Sequence, residues 1–69
     1  MRITKDNVDA LVNKIICRHD SRWILQEYEV YPIKNKDVYL LCGAYDDSII
    51  PFCITKKRLV NESWDIIGY

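Results

Sequence analysis

Residues 6–18 read DNVDALVNKIICR, and how this stretch folds decides the architecture of the 69-residue chain. Val8, Leu11, Val12, Ile15 and Ile16 fall at i, i+3, i+4, i+7 and i+8, the spacing of one apolar stripe on a helix. Thr4 or Asp6 would cap its N-terminus. Asp6 and Asp9 suit the positive end of the helix dipole, and Arg18 with His19 suits the negative end. The spacing predicts one amphipathic helix over 6–18, with Leu11 and Ile15 on its buried face. Asn13 lies on the other side, where alanine should be tolerated without loss.

Beyond this stretch the pattern changes period. Asp20 and Ser21 interrupt it, and residues 23–33 are rich in aromatic and β-branched side chains up to Pro32, as strands are. The alternation there is imperfect. Trp23 and Leu25 share a face with Glu27 and Glu29, while Ile24, Tyr28 and Val30 share the other with Gln26; a bulge near Gln26 would reconcile them. A helix running through Tyr28 is the competing reading. Lys34, Asn35, Lys36 and Asp37 form a polar turn.

A second strand is expected over 38–45, with Val38, Leu40, Cys42 and Ala44 facing inward, and a third over 49–55, with Ile50, Phe52 and Ile54 facing inward. Pro51 cannot donate to a ladder and places that strand at an edge or a bulge. Residues 61–63 read as a turn. The last segment is open: 59–67 fits a short helix, and 64–69 fits a fourth strand. The expected fold is α+β, a single domain over 1–69, with one N-terminal helix packed on a three- or four-stranded antiparallel sheet.

Composition narrows the function. Ten Lys plus Arg balance ten Asp plus Glu, so the chain lacks the net positive field of nonspecific nucleic-acid or anionic-membrane binders. Apolar runs such as 39–42 and 49–54 are far below the roughly 20 residues that span a bilayer. The three cysteines form an odd set in apolar surroundings, which reads as reduced thiols in a cytoplasmic protein without a secretory leader.

Motifs for catalysis are weak. Only Gly43 and Gly68 are present, too few for a phosphate-cradling loop. Cys17 with His19 is the one thiol and imidazole pair, but two steps along a helix turn their side chains apart. Glu27 and Glu29, about 7 Å apart on one strand face, have a glycosidase-like separation without a cleft to bury a sugar. Cys17, His19, Cys42 and Cys53 make up a zinc complement by type, yet their spacing matches no zinc motif, and core cysteines are the simpler reading. No cofactor is expected.

Lys56, Lys57 and Arg58 form a short basic run that would serve a nucleic-acid-binding regulator, although Asp46, Asp47, Glu62 and Asp65 flank it. A zinc-stabilised module is the remaining alternative. Protein recognition asks for no motif. Tyr28, Tyr31, Tyr39, Tyr45, Trp64 and Tyr69 exceed what so thin a core can bury, and those left outside would supply rigid contact area. The expectation is a small non-catalytic binding protein, an inhibitor or adaptor of the phage or mobile-element type in size. It would occlude a surface of a larger protein partner or associate with itself.

Overall fold

Helical spacing and turn chemistry compete over residues 6–18, and turn chemistry prevails. The structure is a computed structural model that describes residues 1–18 and 26–68. Val8–Ala10 form one turn of 3-10 helix, and the Lys14 N–H then donates to the Leu11 carbonyl at 2.9 Å, closing a tight turn. Asn13 sits in that turn at φ 68°. The chain continues as strand β1, Ile15–Arg18.

The predicted N-terminal amphipathic helix is therefore absent, for an identifiable reason. Val8, Val12, Ile15 and Ile16 are β-branched and Asn7, Asp9 and Asn13 are poor helix formers, so little but spacing favoured a helix. Asn13 instead takes the left-handed conformation, which asparagine tolerates better than most residues. Its N–H donates to the Val30 carbonyl at 3.0 Å, while the Val30 N–H donates to the Lys14 carbonyl at 3.2 Å. Asn13 and Lys14 thus oppose the single residue Val30, a β-bulge that turns the chain into β1.

Four further strands follow: β2, Glu27–Pro32; β3, Val38–Gly43; β4, Phe52–Thr55; and β5, Trp64–Gly68. A six-residue helix, α1, covers Lys56–Asn61 between β4 and β5. The sheet is antiparallel in the order β4-β3-β2-β1-β5, so it has five strands where three or four were expected. Both readings of the last segment hold in part, since it contains α1 and then β5.

The registers Ile16↔Tyr28, Val30↔Leu41, Tyr39↔Ile54 and Ile16↔Ile66 align one row of side chains after another on an inner face. Ile3, Val8 and Leu11 from the N-terminal segment and Leu59 from α1 cover that face, joined by Trp64. Each such aliphatic side chain contributes about 1.5–3 kcal/mol by leaving water. Gly43 lies beneath the β3–β4 connection, where a Cβ would come within 2.4 Å of the Asp46 carbonyl oxygen. Thr55 caps α1, its Oγ1 accepting the Arg58 N–H at 3.1 Å.

One face assignment is reversed, and one residue expected inside lies outside its strand. In β3 the buried residues are Tyr39 and Leu41, whereas Val38, Leu40 and Cys42 point to the other side. Residues 38–42 are apolar at both parities, so alternation alone could not select the inner set. Ile50, expected inside, is 83 % exposed, while Ile54 is buried as expected.

Residues 1–3 lie along the outer side of β5. The Ile66 N–H donates to the Met1 carbonyl, the N-terminal ammonium donates to the Ile66 carbonyl at 3.0 Å, and the Ile3 N–H donates to the Trp64 carbonyl at 2.9 Å. Among the described residues, the edge left unpaired is that of β4.

Candidate functional site

The sheet has two faces, and every described covering element packs on the same one. On the outer face β1 presents Ile15 and Cys17, β2 presents Glu27, Glu29 and Tyr31, β3 presents Val38, Leu40 and Cys42, and β5 presents Asp65. The registers Ile15↔Glu29, Glu29↔Cys42, Tyr31↔Leu40 and Cys17↔Asp65 set these side chains beside one another. Leu40, Cys42, Ile15 and Val38 are only partly buried, and Tyr31 is 38 % exposed. The face is an apolar field carrying three carboxylates, and the Tyr31 hydroxyl donates to Glu29.

Cys17 is the exception on this face, at 6 % exposed. Burial pushes its thiol pKa up, and the nearby charges of Asp65 and Glu27 push it further, against an opposing effect of the N-terminal ammonium. A thiol held neutral in this way is a poor nucleophile. His19, its proposed base, lies outside the described residues.

The zinc set is not brought together. Cys17 and Cys42 are separated by the whole of β2, roughly 9.5 Å across two strand spacings, whereas sulfurs sharing a zinc ion lie about 4 Å apart. No cluster of three metal-ligating side chains occurs among the described residues. Glu27 and Glu29 share the open outer face, with no enclosed cleft between them.

The basic run is largely committed to ion pairs. Lys56 Nζ lies 2.9 Å from Asp9 Oδ1 and 5.0 Å from the centre of the Tyr39 ring. Arg58 Nε lies 2.7 Å from Glu62 Oε2, and this hydrogen bond holds the Glu62 carboxyl below its ordinary pKa and the Arg58 guanidinium above its own. Of the three, Lys57 alone is exposed without an ion pair among the described residues.

The aromatic candidates divide. Tyr28, Tyr39 and Trp64 are core residues, with Trp64 only 3 % exposed, so they have little surface to offer a partner. Tyr28 meets Phe52 edge to face at 5.4 Å and Trp64 at 5.8 Å between ring centres. Tyr31 and Tyr45 are exposed, Tyr45 at 77 %. Tyr69 lies outside the described residues, as do Trp23, Ile24 and Leu25.

A hollow of about 440 Å³ opens on the inner side, lined by Arg18, Gln26, Tyr28, Phe52, Arg58, Glu62 and Trp64. Its polar groups satisfy one another: the Tyr28 hydroxyl donates to Gln26 Oε1 at 2.6 Å, and Trp64 Nε1 donates to Glu62 at 3.4 Å. No buried side-chain polar atom is left without a partner among the described residues. The hollow therefore lacks the unsatisfied, convergent groups of a prepared small-molecule site.

The residues that sequence reasoning passed over are those of the outer face, above all Ile15, Leu40 and Cys42. Their signal is present in β3, where apolar residues at both parities mean that one apolar set must face away from the core. Comparison with family models, with curated proteins and with solved structures finds no match.

Proposed function

We propose that this chain is a small non-catalytic binding module whose outer sheet face covers a surface of a larger protein, in the manner of an inhibitor or adaptor. One observation carries the reading: Ile15, Tyr31, Leu40 and Cys42 lie together on a face that no described element covers. Antiparallel sheets often expose one face, but such a face is normally polar. Glu27, Glu29 and Asp65 within it fit a partner with Lys or Arg around an apolar patch. The three free thiols are consistent with a reducing compartment such as the cytoplasm.

The test is capture from nuclease-treated host lysate, comparing the wild type with Tyr31→Lys and Leu40→Lys. Both substitutions sit on the outer face and should leave the circular dichroism spectrum and urea midpoint nearly unchanged. A defined protein retained by the wild type and lost by both variants supports the reading. Equal retention by all three, or recovery of nucleic acid alone, rejects it.

A further inference from the structure

We infer that β4 is a self-pairing edge through which two copies of this chain associate about a two-fold axis at Cys53. This surface is distinct from the outer face, and the inference stands whether or not that face binds a partner.

The direction of each backbone group on β4 follows from one bond. The Lys56 N–H donates to the Asp37 carbonyl at 2.8 Å, and these residues are directly opposed in the β3–β4 register. Hydrogen-bonded and non-bonded pairs alternate along an antiparallel ladder, so Ile54 and Phe52 also bond to β3. Thr55, Cys53 and Pro51 then direct their backbone groups away from the sheet. Pro51 has no N–H, and the Thr55 carbonyl, at the N-cap of α1, accepts the first hydrogen bond of the helix. The edge therefore offers two donors, from Cys53 and Thr55, and two acceptors, from Cys53 and Pro51.

This set is self-complementary. In an antiparallel pair centred on Cys53, the two Cys53 residues exchange both of their hydrogen bonds, and each Thr55 N–H meets the Pro51 carbonyl of the other copy. The donor missing at Pro51 falls opposite the Thr55 carbonyl, which the helix already occupies. No outward donor or acceptor is left over, whereas an arbitrary extended segment would bring groups that Pro51 and Thr55 cannot answer.

Side chains and charge agree with the backbone. The same register places Phe52, 36 % exposed, beside Ile54 of the other copy, whose side chain is already buried in its own core, so the pairing rests on the backbone with Phe52 as its main apolar side chain. Residues 50–55, Ile-Pro-Phe-Cys-Ile-Thr, carry no charge, so two copies approach without like-charge repulsion. An interface of five residues per copy falls well below the roughly 800 Å² per partner of a standard complex. The association should therefore be weak and concentration-dependent.

The test uses the full chain under reducing conditions, by sedimentation velocity over a concentration series and by amide hydrogen exchange. The expected result is a monomer–dimer equilibrium, with the Cys53 and Thr55 amides slowing in exchange as concentration rises. Cys53→Asp faces two carboxylates across the axis and should raise the dissociation constant at least about tenfold, while Cys42→Ser should leave it unchanged. A short bis-maleimide should link copies through Cys53 in the wild type and in Cys42→Ser, but not in Cys53→Ser. A strictly monomeric chain up to millimolar concentration, or a dimer whose Cys53 and Thr55 amides exchange at the monomer rate, overturns the inference.

Discussion

The Tyr39 hydroxyl donates a 2.8 Å hydrogen bond to the carbonyl oxygen of Val8, joining the centre of β3 to the 3-10 turn across 31 positions of sequence. The bond is buried and fixes the N-terminal segment over the sheet, helped by the Lys56–Asp9 ion pair above the same ring. Tyr39→Phe keeps the packing and removes this donor from the Val8 carbonyl. The expected cost is about 1–3 kcal/mol, seen as a lower urea midpoint with an unchanged slope.

Ile15 and Ile16 separate a strand from a helix. Ile16 is fully buried between Tyr28 and Ile66, whereas Ile15 is on the outer face and only partly buried. Ile16→Ala should cost about 2–5 kcal/mol and Ile15→Ala roughly 1 kcal/mol or less. Leu11→Ala should behave like Ile16→Ala. Denaturant midpoints in the order wild type, Ile15→Ala, Ile16→Ala check this, and an equal loss at the two isoleucines would contradict the strand.

Asn13 and Ser63 are the two non-glycine residues at positive φ among the described residues, at 68° and 62°. Asn13→Ala is therefore not silent, as the helical reading required, and should cost about 1–2 kcal/mol through left-handed strain. Ser63 follows α1, in the region where glycine is favoured. Ser63→Gly relieves strain but removes the hydroxyl that accepts from Arg2, an exposed contact of small value. A net gain of about 0.5 kcal/mol in thermal or urea unfolding is expected.

Alkaline pH should weaken the fold. Burial raises the Cys17 thiol above its ordinary value of 9.0 and the Tyr28 phenol above its ordinary value of 10.0. A group whose folded pKa exceeds its unfolded one stabilises fully below the unfolded value, and that contribution is lost as pH rises through the folded value. Stability should hold to about pH 9 and then fall, less steeply in Cys17→Ala. Urea midpoints across pH 7–11 measure this, and alkylation at pH 8 should modify exposed Cys53 well before Cys17.

The β-rich part of this fold was legible because its signals are local. Polar residues at 34–37 and Asp46 with Asp47 punctuate runs of β-branched and aromatic residues, and Pro51 marks an edge that the structure leaves open. The N-terminal error arose because Val8, Leu11 and Ile16 all reach the core by different routes: a 3-10 turn, a tight turn and a strand. Their spacing imitates one helical face. The β-branched residues and the weak helix formers Asn7, Asp9 and Asn13 are the local signal against a helix, and the pairing between Asn13 and Val30 is what fixes the strand. The outer face was hidden in the same way, because Leu40 and Leu41 are equally apolar in sequence and only the register with β2 and β4 says which is inside.

The position of β1 between β2 and β5 bears on how the protein is made. Its first partner is encoded soon after it, but its second comes from residues 64–68, and the backbone of residues 1–3 bonds to those same residues. During synthesis, Ile16 keeps one open flank until residues 64–68 have left the ribosome. Such end-to-end pairing gives a high contact order and places the closing of the sheet late in folding. A nascent chain halted before Trp64 would expose β1 as an adhesive edge, and the cell would have to shield it until β5 had paired.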